Sequence, residues 1–296
     1  MRAFVFPGQG SQFVGMGKEL YESSDIARKV MNDAVEILGY DIKNKIFNGT
    51  EEELKRTSLT QPSIFIVSVM YLEYLKKEGF QADVVAGHSL GEFTALVAAG
   101  VIDFETGLKL VQFRGRIMEE TAGDGGMLAV IGLNLKEVEK VVEENGRVDL
   151  ANINSQNQII ISGPKDELRK LSEELKRRGA RRIVELKVGA PFHSRYMKEV
   201  ERKLEEYLKD VKFSKPSIPI VQNYSARESM DPEEIKRNIV KQTTGTVRWY
   251  ESVLRMSDMG VDEFVEVGPG KVLTNLIKRI IGNIVISSDT LLAIAG

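Results

Sequence analysis

The segment that most narrows what this chain can fold into is Asp83-Val-Val-Ala86, followed by Gly87-His-Ser-Leu-Gly-Glu92 and an alanine-rich apolar stretch to Ala99. A short buried run, a glycine-bounded turn and a helix-forming stretch read as strand, sharp bend and helix. Gly87 and Gly91 flank Ser89 at two residues on either side, where strand and helix converge and a Cβ would collide with the opposite arm. Strands that feed helices in this way are the repeating unit of parallel sheets, so the larger part of the chain is expected to be parallel α/β.

The remaining pattern extends that reading and adds one departure from it. Ala3–Phe6 reads as a short buried strand running into Pro7-Gly-Gln-Gly-Ser-Gln12. Amphipathic helices are expected over Ser24–Leu38 and Pro62–Glu78, each closed by a glycine, and over Asp103–Ala122. From Met127 the order changes to strand (Met127–Leu133), helix (Leu135–Asn145), strand (Val148–Asn154), strand (Gln158–Ser162), helix (Lys165–Arg178) and strand (Arg182–Val188). That βαββαβ order is the ferredoxin-like split unit, which closes its own small sheet. Glycine-rich turns before and after it look like hinges. The expected division is therefore a core made of residues 1–124 and 190–296, with residues 125–189 as an inserted subdomain. Beyond the insert come a charged helix (His193–Lys209), a strand (Ile218–Gln222), helices starting near Pro232 and Val247, a strand (Asp262–Val267), a helix ending near Ile281 and a last strand (Asn283–Ser287).

Composition removes several classes of function. The chain has 296 residues with 42% hydrophobic and 28% charged content, enough for a full core. A net charge of -2, with Lys and Arg spread along the chain, lacks the basic field that nucleic acid requires. No apolar run reaches the roughly 18 residues of a membrane span, and the first residues lack the apolar region of a signal peptide, so a soluble cytoplasmic protein is expected. Cysteine is absent. Disulfides, thiolate metal sites and cysteine nucleophiles are thereby excluded, and covalent chemistry must use oxygen or lysine.

A glycine-flanked bend lifts the Ser89 hydroxyl into the open above a helix N-terminus, whose free N–H groups and positive potential suit a developing oxyanion. A serine nucleophile needs a base, and the chain has only His88 and His193. His88 abuts the serine, where the bend turns its side chain away from the hydroxyl, so His193, at the start of an expected helix, is the candidate base. A helix N-terminus disfavours imidazolium and would keep it neutral. The glycines around Gln9 let its backbone N–H face the bend, making Gln9 and Leu90 candidates for a two-donor oxyanion hole. Arg114 falls inside the apolar stripe Leu110, Val111, Ile117, Met118. A guanidinium on a buried face must meet an anion, either an internal Asp or Glu or a substrate carboxylate. The basic clusters Lys176-Arg-Arg178 and Arg181-Arg182 fit a solvated face or the docking of an acidic partner.

Taken together, Phe6-Pro-Gly-Gln-Gly-Ser-Gln12, Gly87-His-Ser-Leu-Gly-Glu92, Phe113-Arg-Gly-Arg116, Asn152-Ile-Asn-Ser155, Phe192-His193, Val247-Arg-Trp249 and Glu266-Val-Gly-Pro-Gly270 resemble the malonyl-CoA:acyl carrier protein transacylase family. The resemblance spans essentially the whole chain. It implies an α/β-hydrolase-like core with a ferredoxin-like insert, and an enzyme moving malonyl groups from coenzyme A to the phosphopantetheine thiol of acyl carrier protein, for fatty acid synthesis. No metal and no tightly bound cofactor are implied, malonyl-CoA being a substrate. Position by position, it makes Ser89 the nucleophile, His193 the base, Arg114 the clamp on the malonyl carboxylate and Gln9 and Leu90 the oxyanion donors. It places the carbonyl that orients the histidine at Arg248, and puts His88, Asn154 and Phe192 around the acyl pocket. Gly245-Thr246 stands where a proline commonly precedes the valine, a departure that bears on the choice of carbonyl. Phe192 before His193 resembles malonyl-selective rather than methylmalonyl-selective modules, since a bulky ring would leave less room for an α-methyl branch. The same serine and histidine would also serve an esterase or thioesterase, and the fold alone would serve a non-catalytic acyl-binding domain.

Overall fold

The computed structural model describes residues 1–121, 123–282 and 285–287. Its described strands are β1 (Arg2–Phe6), β2 (Val84–Gly87), β3 (Gly125–Ile131), β4 (Asp149–Ser155), β5 (Gln158–Pro164), β6 (Arg182–Glu185), β7 (Ile220–Val221), β8 (Glu228–Ser229), β9 (Glu263–Glu266) and β10 (Val285–Ser287). They form two sheets. The larger has the order β10-β9-β1-β2-β7-β8, parallel throughout except for β8, which pairs antiparallel with β7. In β1, Phe4 and Phe6 pack into one apolar cluster while Ala3 and Val5 pack into another. This period-2 split covers both faces of the sheet, as parallel sheets require.

The second sheet, β4-β5-β3-β6, is antiparallel and carries the expected βαββαβ order with helices Leu135–Asn145 and Lys165–Arg177. Alternation again decides its faces. Leu128, Val130, Ile159 and Ile161 pack under those two helices, whereas Met127, Ala129 and Ile160 join the main core. The sheet is tied to the larger unit by backbone bonds from Ile153 N–H to the Val247 carbonyl and from Val247 N–H to the Ala151 carbonyl, at 2.9 and 2.8 Å.

Four expectations about element bounds change, one of them the strand foreseen over Arg182–Val188, which ends at Glu185. The helix foreseen from Pro62 begins at Thr57 and runs to Lys77. Its first turn, Thr-Ser-Leu-Thr-Gln, has no apolar periodicity to announce it, and Pro62 is accommodated near the start, where few backbone bonds are lost. The charged helix foreseen from His193 begins at Lys198, after a single 3₁₀ turn at Arg195–Met197. The strand foreseen over Ile218–Gln222 shrinks to Ile220–Val221. Ala122, Asn283 and Ile284, the ends of two expected elements, lie outside the described residues. No helix of the described residues is long and apolar enough to cross a membrane.

The parallel strands β1, β2 and β7 end together at Phe6, Gly87 and Val221. Loops leaving the carboxyl ends of parallel strands are where open α/β sheets build their sites. Here they contain Gln9, Ser89 and Asn223.

Candidate active site

The bend after β2 is held by contacts that admit no Cβ. A Cβ on Gly87 would lie 1.9 Å from the Gly91 carbonyl carbon, and one on Gly91 would lie 2.0 Å from the Phe6 carbonyl oxygen. Ser89, at the crest, has φ 50°, in the left-handed region that costs a non-glycine residue about 1–2 kcal/mol. The surrounding network over-determines it. Its N–H donates to Asn223 Oδ1 at 2.7 Å, and its carbonyl accepts from Gln242 Nε2 at 3.0 Å.

Ser89 Oγ lies 2.8 Å from His193 Nε2, and His193 Nδ1 lies 2.8 Å from the Gln242 carbonyl oxygen. A carbonyl only accepts, so Nδ1 carries the hydrogen and Nε2 presents its lone pair to the serine hydroxyl. The chain thus brings its second histidine onto the half-buried Ser89 in the tautomer a general base needs. Two expectations are corrected at this point. The carbonyl that orients the histidine belongs to Gln242, because that of Arg248 is committed to the first turn of helix Trp249–Asp258, accepting from Ser252 N–H and Oγ. His193 also precedes the helix from Lys198 by five residues, so a helix dipole does not set its charge state. Burial, followed by the nearby Arg114 guanidinium, lowers its pKa to about 3.

Arg114, only 1% exposed, is the most unusual side chain in the cleft. Its Nη1 donates to Gln61 Oε1 at 2.9 Å, and its Nη2 to Gln242 Oε1 at 3.1 Å and Ser89 Oγ at 3.3 Å. These partners are neutral. No carboxylate among the described residues forms an ion pair with Arg114, and its buried Nε has no acceptor. The guanidinium stacks over the Phe93 ring, 5.1 Å from its centroid. Of the two readings left open for Arg114, an internal salt bridge is therefore absent among the described residues. What remains is a buried cation with spare donor capacity facing the cleft.

The cleft has a volume of about 380 Å³ and is lined by Gln9, His88, Ser89, Leu90, Arg114, Asn154, Phe192 and His193. Every candidate catalytic or acyl-pocket residue read from the sequence borders it except Arg248, and the basic clusters at 176–178 and 181–182 lie outside it. No acceptor among the described residues takes the backbone N–H of Gln9 or Leu90. His88 turns away from the serine hydroxyl and donates through Nε2 to Asn154 Oδ1 at 2.8 Å. The far wall comes from the second sheet, through Met127 and Ala129 of β3, Asn152 and Asn154 of β4, and Gln158 and Ile160 of β5.

Sequence reasoning missed the polar residues under the cleft. Gln61 lies in the unannounced first turn of its helix, and Asn223 and Gln242 lie in short connections without periodic pattern. Glu92 is quoted in the serine motif but given no role. Burial pushes its carboxyl up to about 7, against the pull of amide donors from Gln242, Asn223 and Gln222.

The low pKa of His193 has a kinetic consequence. A base already neutral at mildly acid pH gives no acidic limb there. Labelling of Ser89 by a neutral fluorophosphonate, followed by mass spectrometry, should be nearly flat between about pH 5 and 8. A limb centred near the ordinary histidine value of 6.5 would show that the imidazole is not held neutral by Arg114 and burial.

The family model for the acyl transferase domain matches residues 3–291. The malonyl CoA-acyl carrier protein transacylase of Bacillus subtilis is 42% identical over 284 residues, covering 94% of this chain and 90% of that one. The crystal structure of an acyl carrier protein S-malonyltransferase from Vibrio cholerae superposes with a TM-score of 0.95 at 39% identity, covering 99% of each chain. A malonyl-transacylase in complex with its type II PKS acyl-carrier protein superposes with a TM-score of 0.93 at 37% identity, covering 97% of this chain and 94% of that one.

Proposed function

The chain belongs to the acyl transferase domain family, and from that premise we infer that it moves a malonyl group from malonyl-CoA to the phosphopantetheine thiol of acyl carrier protein. Relatives and solved structures of that activity match over nearly the whole chain, one of them bound to a carrier protein. The observation that carries the mechanism is the 2.8 Å contact between Ser89 Oγ and His193 Nε2 beside a buried arginine that pairs with no carboxylate among the described residues.

In the mechanism we propose, His193 Nε2 takes the Ser89 proton as Oγ attacks the malonyl thioester carbonyl. The oxyanion forms against the N–H groups of Gln9 and Leu90, which have no competing acceptor. His193 returns the proton to the departing coenzyme A thiolate, leaving a malonyl ester on Ser89. Arg114 holds the distal carboxylate through two parallel hydrogen bonds, as its planar fork allows. The carrier thiol, deprotonated by His193, then attacks the ester and frees the serine. The Gln242 carbonyl keeps the imidazole in its working tautomer throughout. His88 and Asn154, joined by their hydrogen bond, and Phe192 would border the acyl group. Nothing in this sequence of steps calls for a metal or a bound cofactor, and we place the enzyme in the cytoplasm with its carrier.

We take residues 125–189 as the inserted unit forming one wall of the cleft, with 1–124 and 190–296 as the core. Gln158 also borders a neighbouring groove lined by Arg181, Arg182 and Arg279, a cationic rim suited to an acidic carrier protein.

Mixing the protein with malonyl-CoA in the absence of carrier should leave a malonyl ester on Ser89, detected by mass spectrometry of the intact protein and its peptides. Adding phosphopantetheinylated carrier should discharge it. Folded protein that forms no adduct would exclude the acyl-serine mechanism. Rapid loss of the adduct to water, with carrier making no difference, would favour a thioesterase.

A further inference from the structure

Glu92 is a fully buried carboxylate that the mechanism above leaves unused. It sits in the first turn of the helix Gly91–Ala98, directly below the serine. Its two oxygens receive three donors from two parts of the chain. Gln222 Nε2 reaches one oxygen at 3.2 Å, while Asn223 N–H at 3.2 Å and Gln242 Nε2 at 2.7 Å reach the other. None of these donors is charged, and no ion pair to Glu92 occurs among the described residues. A carboxylate kept buried on neutral donors, with the Arg114 charge acting on it without an ion-pair contact, is expensive, which argues for a local task.

The task is visible in what the amides do next. Gln242 presents Nε2 to Glu92 and to the Ser89 carbonyl, and Oε1 to Arg114 Nη2. The two ends of an amide are alike in shape, so its neighbours decide which end faces the arginine. The contact with Glu92 is the shortest made by Nε2, and above the carboxyl's value of about 7 it is charge-assisted. Asn223, held by the same Glu92 oxygen, places its Oδ1 on the Ser89 N–H and its Nδ2 on the Gly87 carbonyl.

We propose that Glu92 is a positioning residue for acyl-group selection, its carboxylate fixing the Gln242 amide in the one orientation that offers an oxygen to Arg114. The inference rests on the function proposed above. An acceptor-only group is required at this position. A glutamine has one oxygen for three donors, so its own NH2 must meet either Gln222 Nε2 or the pair formed by Asn223 N–H and Gln242 Nε2. Gln222 resists turning over, because its Oε1 accepts from Asn238 and its Nε2 also donates to the Ile235 carbonyl. The backbone N–H of Asn223 cannot turn at all. Of the three donors only the Gln242 amide is able to turn, which removes its own clash at the shared oxygen, points an NH2 at the guanidinium and displaces the clamp, while the Asn223 N–H loses its acceptor.

The test measures kcat/KM for malonyl-CoA and acetyl-CoA with carrier protein in the parent, Glu92→Gln, Arg114→Ala and the double variant, after the parent has been shown to malonylate Ser89. Failure of that first step counts against the proposed function and not against Glu92. Glu92→Gln should lower the malonyl-to-acetyl ratio about tenfold, the worth of one hydrogen bond to a charged group. The double variant should show a ratio no lower than Arg114→Ala alone, because Glu92 acts on selection through that arginine. Equal losses for both acyl groups, or ratio effects that multiply in the double variant, would overturn the proposal and leave Glu92 a general support of the fold. If Glu92→Gln proves insoluble, Glu92→Asp keeps an acceptor-only group but withdraws it by one methylene, and the same outcomes decide.

Discussion

Ser89→Ala and Ser89→Gly should both form no acyl adduct and lower transfer by at least about 10⁴-fold, yet the glycine variant should be the more stable of the two by about 1 kcal/mol. The first half follows from the chemistry. Without Oγ there is no atom to carry the acyl group between thiols, and the residual rate comes only from holding the two thiols together. The second half follows from φ 50° at this residue. Alanine in that conformation retains the left-handed penalty of about 1–2 kcal/mol, while glycine escapes it and loses about 0.5–1 kcal/mol to the greater freedom of its unfolded chain. Because both variants lack the hydroxyl, their difference isolates the strain that the active serine tolerates. Intact-mass measurement after incubation with malonyl-CoA reads the first effect, and denaturant titration of the pair reads the second. An adduct on either variant would place the nucleophile elsewhere. A glycine variant less stable than the alanine variant by about 0.5–1 kcal/mol would mean that the crest of the bend stores no strain.

The parts of this site that were legible in the sequence are those where one residue type is forced by local geometry or by elimination. Gly87 and Gly91 announce the bend because nothing with a Cβ fits where the two arms meet. His193 is found because the chain has two histidines and one is spent beside the serine. Arg114 is found because a charge interrupts an apolar stripe. The βαββαβ unit is found because its period-2 and 3.6-residue patterns alternate cleanly, down to the bounds of helix Leu135–Asn145. What stayed hidden is the second layer. Gln61, Asn223 and Gln242 act through side-chain amides whose partners lie 19 to 153 residues away. No local pattern encodes such a contact. The carbonyl that orients His193 is harder still, since any residue can supply a carbonyl. Family resemblance pointed to Arg248, where the helix N-terminus consumes it, whereas the chain delivers the carbonyl of Gln242, at the end of helix Pro232–Lys241. The changed sequence at Gly245-Thr246 lies between the two positions.

Arg114→Ala should lower the malonyl-to-acetyl ratio of kcat/KM by about 10²-fold or more, while costing less stability than loss of a buried ion-pair partner. Breaking a buried salt bridge from one side typically costs about 3–5 kcal/mol, because a carboxylate is left stranded. Here the hydrogen-bond partners left behind are the carbonyl oxygens of two glutamine side chains and a serine hydroxyl, all neutral, while Glu92 loses a Coulombic attraction but no ion-pair contact. Their loss of a donor, together with the vacated space beside Phe93, should cost about 1–3 kcal/mol. Arg114→Lys should recover part of the charge but little of the selectivity, since an ammonium cannot present two parallel N–H groups to one carboxylate. His193 adds an independent check. The Arg114 guanidinium helps to hold its pKa down, so in Arg114→Ala the pKa should rise towards the ordinary histidine range. The acid limb of Ser89 labelling should then move to higher pH than in the parent. Parallel assays with the two thioesters, thermal melts and pH profiles on the same preparations separate the possibilities. A large fall in melting temperature with unchanged discrimination would make Arg114 a structural cation. A collapse of discrimination on a nearly intact fold would mark it as the group that reads the substrate carboxylate.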